Sequence, residues 1–160
     1  MNAARWLIVG FIATVVLTTL SEGSQGLRLT RMNLPYMLGT MFTPDRDRAK
    51  VYGALVHFIN GWLFSLLYLA IFHTLHIFNP FFGALVGFAH GLFVLVVGLP
   101  VLPGIHPRMA GNTRGPTVDR QLEPPGFMGL HYGIRTPITV LVAHIAFGAV
   151  LGGVYRPPGS

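Results

Sequence analysis

Gly83-Ala-Leu-Val-Gly87-Phe-Ala-His90-Gly91 is the stretch on which the fold turns. It lies in an uncharged run from Ile77 to Val101. Its glycines recur every fourth residue, so on a helix Gly83, Gly87 and Gly91 form one groove without side chains. A second helix can press into such a groove backbone to backbone. His90 stands at its edge. An apolar run of about 20 residues is enough to cross a bilayer core as a helix, and Ile77–Pro107 contains no Asp, Glu, Lys or Arg at all.

The composition agrees. Of the 160 residues, 52% are hydrophobic and 10% charged, against about 25% charged in an ordinary soluble domain. There are too few charges to cover a water-facing surface. The chain therefore reads as a single membrane domain, residues 1–160, whose fold class is an all-α integral membrane bundle of four transmembrane helices. The formal charge of +6 does not point to nucleic acid, because the basic residues sit beside apolar runs. There they serve as topology signals and headgroup contacts. The absence of cysteine excludes disulfides, thiolate metal sites, iron–sulfur clusters and covalent c-type haem.

Working outward, the first helix is expected at about residues 4–25. Its apolar run Trp6–Leu20 has the outline of a signal peptide, but Ser21-Glu22-Gly23-Ser24 offers no A-x-A cleavage pattern, so the segment reads as retained. Within the following connector, Leu34–Phe42 is apolar but too short to span and reads as an interfacial helix. Thr43-Pro44-Asp45 opens a helix over about 44–74, with Thr43 as the cap and Pro44 in the first turn. Asn79-Pro80 opens the next, over 80–99, which Pro100 and Pro103 are expected to stop. Residues 101–136 form a long Pro/Gly-rich loop. Thr136-Pro137 repeats the cap-then-proline start of a last helix over 137–155, ending at Arg156-Pro-Pro.

Nine of the eleven Lys/Arg residues fall in the two long connections (Arg28, Arg31, Arg46, Arg48, Lys50, Arg108, Arg114, Arg120 and Arg135), and only Arg5 and Arg156 fall elsewhere. The positive-inside rule then puts those connections in the cytoplasm and both termini outside, in a bacterial inner membrane. Gly53-Ala-Leu-Val-His-Phe-Ile-Asn-Gly61 also lines up with Gly83–Gly91. The match fits either a duplicated helical hairpin or the ordinary recurrence of small residues in membrane helices.

Several phrases carry a likeness: Gly10-Phe-Ile-Ala-Thr-Val-Val, Met37-Leu-Gly-Thr-Met, His57-Phe-Ile-Asn-Gly61, Gly87-Phe-Ala-His90 and His144-Ile-Ala-Phe-Gly148-Ala-Val-Leu-Gly-Gly-Val-Tyr155. The loop phrase Gln121-Leu-Glu-Pro-Pro-Gly-Phe127, with Tyr132-Gly and Thr136-Pro137 after it, adds to them. In this order the chain resembles a family of small, uncharacterised bacterial four-helix integral membrane proteins. The resemblance implies the fold and brings no known activity.

Polar side chains inside a membrane are costly and each asks for a reason. His57 and His144 lie about two turns into their helices, roughly 10 Å deep at 1.5 Å per residue. His90 lies nearer the midplane, and Glu22 toward the cytoplasmic end of the first helix. Convergence of these groups in one layer admits several uses. His57 and His144, with His90 as a third candidate, could hold a haem b iron from two sides. Glu22, His57 and His144 could ligate a divalent metal. The cluster could instead hydrogen-bond a quinone or relay a proton. The plainest use is interhelical hydrogen bonding that fixes the bundle, at about 0.6–2 kcal/mol per bond.

Small residues mark the close helix crossings: Gly53 and Gly61 on the second helix, Gly83, Gly87 and Gly91 on the third, Gly148 and Gly152 on the fourth. Internal packing is their first use; the third helix, with Gly98 seven residues further on, has more than one neighbour requires, which leaves a partner subunit as the other use. A structureless loop beyond about 15 residues is usually functional or disordered. The prolines and aromatics of 101–136 favour defined turns instead. Arg120, Glu123, Pro124, Pro125, Phe127 and Tyr132 read as a cap that docks on helix ends or on a partner, with Arg120 and Glu123 spaced to pair. No Walker lysine loop, GxGxxG, HExxH or hydrolase elbow occurs. The expectation is a non-catalytic accessory subunit of a larger, bioenergetic membrane complex, with other membrane subunits and lipid as partners. The alternatives are a small haem b or quinone electron-transfer protein and a small-solute transporter or channel.

Overall fold

A computed structural model describes residues 3–111 and 114–155. Among them there is no strand, only the isolated bridges Met109–Leu122 and Gly111–Arg114. The helices are α1 (Ala3–Gly26), α2 (Leu34–Gly39), α3 (Arg46–Leu75), α4 (Pro80–Phe93), α5 (Leu99–Ile105) and α6 (Thr136–Val154). A π-helical segment, Val94–Gly98, joins α4 to α5, and a 3-10 helix covers Phe127–Tyr132. Four helices are long and apolar enough to cross a membrane: Ala3–Gly26, Arg46–Leu75, Pro80–Ile105 and Thr136–Val154. Arg156 and the two prolines expected to stop α6 lie outside the described residues.

Three boundaries differ from the sequence reading, each for a local reason. The third long helix does not stop at residue 99 but continues to Ile105, which shortens the 101–136 loop. A proline ring clashes with the carbonyl four residues back. Here the preceding turn is widened, the Leu99 N–H reaching the Val94 carbonyl, and that relieves the clash just before Pro100. At the start of α3, Asp45 rather than Thr43 is the cap: its Oδ1 accepts the Arg48 N–H at 2.8 Å. At the start of α6, the Thr136 hydroxyl turns to the Thr30 hydroxyl, 2.7 Å away, instead of capping. Asn79 caps α4 as expected, its Oδ1 accepting the Phe82 N–H at 2.8 Å.

The chain forms two compact units: Met1–Gly23, Phe58–Leu92 and Val140–Ser160 make the first, Ser24–His57 and Phe93–Thr139 the second. The core of the first unit is Ala13, Leu17, Tyr68, Leu69, Phe72, Phe147 and Leu151, all buried. Its helices approach on glycine. A methyl group added to Gly83 would overlap the Gly148 carbonyl, and one added to Gly148 would overlap the Gly83 carbonyl. Gly87 sits against the His144 carbonyl, Gly152 against the Asn79 carbonyl and Gly91 against Leu141 and His144. One neighbour, α6, thus takes all three glycines of α4. Between α1 and α3, Gly61 faces the Thr14 side chain, and the two indoles reach across: Trp6 Nε1 donates to Ser65 Oγ at 2.8 Å and Trp62 Nε1 to the Leu7 carbonyl at 2.9 Å.

In the second unit, α2 lies on the start of α3. A side chain on Gly39 would strike the Ala49 carbonyl, and one on Gly53 the Pro35 carbonyl. Gly53 therefore serves a different contact from its sequence counterpart Gly83. The 3-10 helix packs near α5 and the start of α6, with Gly129 (φ +73°) close to Leu99 and Thr136.

The glycine contacts predict a graded response. Gly148→Val is expected to lower stability by about 1–3 kcal/mol, the usual cost of overpacking. Gly23→Ala, at a helical site with nothing within 4 Å of the added carbon, is expected to leave it unchanged or raise it. Thermal melts of the two variants in one detergent check this.

Candidate functional site

The first unit holds a phenol–imidazole cluster. Tyr68, on α3, comes within 3.0 Å of His90 Nδ1 on α4. The His90 ring lies 4.8 Å from that of His144 on α6, nearly perpendicular at 86°. Phe64 covers the other side, its ring centre 4.1 Å from that of His90. His144 Nδ1 lies 2.8 Å from the Val140 carbonyl. A carbonyl only accepts, so the proton is on Nδ1 and the neutral ring keeps Nε2 as an acceptor. His90 Nε2 is buried and has no hydrogen-bond partner among the described residues. Burying a polar atom without a partner costs about 1–3 kcal/mol.

The helices dictate this meeting. Tyr68 shares a face of α3 with Phe64 and Phe72 at four-residue spacing, and Gly87 and Gly91 let α6 come close enough for His144 to touch His90. Tyr68 was missing from the sequence reading, where a tyrosine inside an apolar run passes for core. The signal was there: its hydroxyl needs a partner once buried.

The expected ligand sets fare differently. Two imidazoles on opposite faces of an iron hold their nitrogens about 4 Å apart, at about 2 Å per bond, with ring centres farther apart still. The 4.8 Å between the rings of His90 and His144 leaves no room for haem between them. His57 is buried within the second unit. Glu22 is exposed on α1. Among the described residues no three His, Asp or Glu are grouped to hold a metal. His73 is drawn to Tyr155, with Nε2 2.9 Å from the hydroxyl.

The second unit is organised on a histidine that the sequence reading passed over. His106, just beyond α5, is fully buried. Its Nδ1 accepts the Arg108 N–H at 3.1 Å. Its Nε2 therefore carries the proton and donates to the Met37 carbonyl at 2.9 Å. Arg108 Nη1 donates to the Thr40 carbonyl at 2.6 Å. The carbonyl end of α2, the negative end of its dipole, is thus closed by a neutral imidazole and a guanidinium. Burial, and secondarily the Arg108 charge, push the His106 pKa below 6.5, against the opposing pull of the Met37 bond.

The 101–136 segment is knit together around Arg31 and Tyr132. The Arg31 N–H donates to the Tyr132 carbonyl at 2.8 Å, and its guanidinium lies 6.0 Å from the Tyr132 ring centre. The Tyr132 hydroxyl donates to the Glu123 carbonyl. Burial first, then the Glu123 carboxylate, push that phenol up to about 12. Arg31 pairs with Glu123 at 3.2 Å, so the expected Arg120–Glu123 pair is corrected: Arg120 Nε instead reaches Thr117 Oγ1 at 3.4 Å. The ion pair is largely exposed and worth little. Pro125 is buried and Pro124 accepts from His131 Nδ1 at 2.9 Å. Phe127 points outward.

Two outcomes are expected. Tyr68→Phe removes the phenol from His90 Nδ1; it should cost about 1 kcal/mol and shift the nitrogen NMR signal of that imidazole. For His106, the folded pKa lies below the unfolded one, so its stabilisation is complete above about 6.5 and is lost as pH falls through that value. Wild type should therefore lose more melting temperature than His106→Asn between about pH 7 and about pH 5, with the difference between the two proteins as the readout.

No family model, no curated protein and no solved structure matches this chain.

Proposed function

We propose that this chain is a non-catalytic, multi-pass subunit that stabilises a larger assembly in the bacterial inner membrane, with its four long helices crossing as a bundle and its 101–136 segment turned to the cytoplasm. One observation carries the reading. Large apolar side chains stand out not only along the long helices, where lipid covers them, but on the connecting segments too: Val118 is 86% and Ile134 83% exposed, with Phe127 beside them in the sequence of the same unit. Exposed apolar residues off the spans are candidate contact points for a partner. The segment that bears them is held by backbone and side-chain hydrogen bonds, as a docking surface needs. The glycine face of α4 does not argue for a partner, because α6 occupies it.

A second reading is favoured by the buried, unpartnered Nε2 of His90. Tyr68, His90 and His144 would then present a hydrogen-bonding group to a quinone carbonyl or pass a proton along. Haem has no place between His90 and His144.

Photo-crosslinking residues at 118 and 134, in cells at native expression, separate the readings. A stoichiometric protein adduct that co-purifies in lipid nanodiscs is the expected result. Adducts to lipid alone, with a lone monomer in the nanodisc, sink the subunit reading. Quinone extracted from purified wild type but not from His90→Leu supports the second reading, and its absence from both proteins removes it.

A further inference from the structure

The second unit contains a cleft of about 680 Å³, within the usual size of a small-ligand site. Its polar lining is Arg108, Tyr36, Thr40, Asp119 and Gln121. Pro44, Pro107, Val118 and Leu122 supply the apolar surface.

The position of Arg108 is fixed three ways. Its backbone N–H is held by His106, its carbonyl accepts the Leu122 N–H at 3.1 Å, and its guanidinium is held by the Thr40 carbonyl. Only one of the five guanidinium N–H donors is used by that last bond. The side chain is half-buried, yet no carboxylate lies within ion-pair distance of it among the described residues; the ion pairs there are Arg31–Glu123 and Lys50–Asp47. Asp119, an exposed residue lining the same cleft, is likewise outside any ion pair among the described residues. A partly desolvated guanidinium, held at the carbonyl end of α2 but outside any ion pair among the described residues, keeps donors free for an anion, and its planar fork matches phosphate oxygens. A carboxylate in the same cleft favours a ligand that carries a cation as well as that anion.

We propose that the cleft lined by Arg108 and Asp119 binds a zwitterionic phosphate ester bearing a primary amine, with the phosphate on Arg108 and the ammonium on Asp119. Tyr36 and Gln121 supply further hydrogen bonds to the phosphate and its ester oxygens. The same headgroup chemistry exists as a membrane lipid, phosphatidylethanolamine, and as the free glycerophosphodiester. Val118 and Leu122 offer apolar contact to the glycerol and the first carbons of an attached acyl chain.

Full-length protein in nanodiscs of phosphatidylcholine is titrated with phosphatidylethanolamine or phosphatidylglycerol of matched chains, and separately with glycerophosphoethanolamine. The expected result is at least about tenfold preference for the ethanolamine lipid over the glycerol lipid, the size of one charge-assisted contact. Asp119→Asn should erase that preference and leave the glycerol lipid unaffected. Arg108→Gln should weaken both lipids by about tenfold or more. Because Arg108 also closes α2, Arg108→Lys is measured beside it and should retain binding in part. Saturable binding of the free diester identifies the headgroup as the determinant. Binding of the lipid alone assigns part of the affinity to the acyl chains. Equal affinity for the two lipids in wild type, or an unchanged preference in Asp119→Asn, overturns the proposal.

Discussion

The contact between Gly83 and Gly148 sets the geometry of the first unit. Each glycine stands where the other's carbonyl needs space, so α4 and α6 meet main chain to main chain. In lipid there is no hydrophobic gain from bringing two apolar helices together, because acyl chains are as apolar as leucine. Association then rests on how closely the backbones approach and on the dispersion contacts made at that distance. Gly87 and Gly91 extend the seam by two turns and deliver His144 to the edge of His90. The phenol–imidazole cluster is a product of that seam: wider spacing between α4 and α6 would separate the rings.

The second unit solves a different problem. Its helix α2 is too short to be stable alone, since helices below about 12–15 residues are marginal in isolation. Tertiary bonds hold it instead. His106 and Arg108 close the end of α2, Gly39 and Gly53 let α2 lie on the start of α3, and the Thr30–Thr136 hydroxyl pair ties the first connection to the start of α6. The neutral form of His106 is required by its two bonds, one given and one taken.

Much of this was legible in the sequence. Period-four glycines, uncharged runs and the Asn79-Pro80 start place the long helices, but which helices the glycines bring together is given only by the packing. What escaped was decided by distant partners or by competing local rules. Pro100 and Pro103 ordinarily end a helix, but a widened turn precedes Pro100 and the helix runs on through Pro103 to Ile105. Glu123 had a nearer cation in sequence, Arg120, yet it pairs with Arg31, which the fold of the connection brings alongside. Tyr68 and His106 were hidden for opposite reasons. One lies in a run that reads as core, the other in a run that reads as loop, and only packing gives each its partner.

The seam between α4 and α6 also constrains how this protein can change over generations. In most cores a residue that grows on one side can be matched by one that shrinks on the other. Here both sides are already at zero, so neither helix has volume to give back. Divergence must therefore run along the outward faces and the connections, while Gly83 and Gly148 stay locked as a pair with no partner exchange open to them.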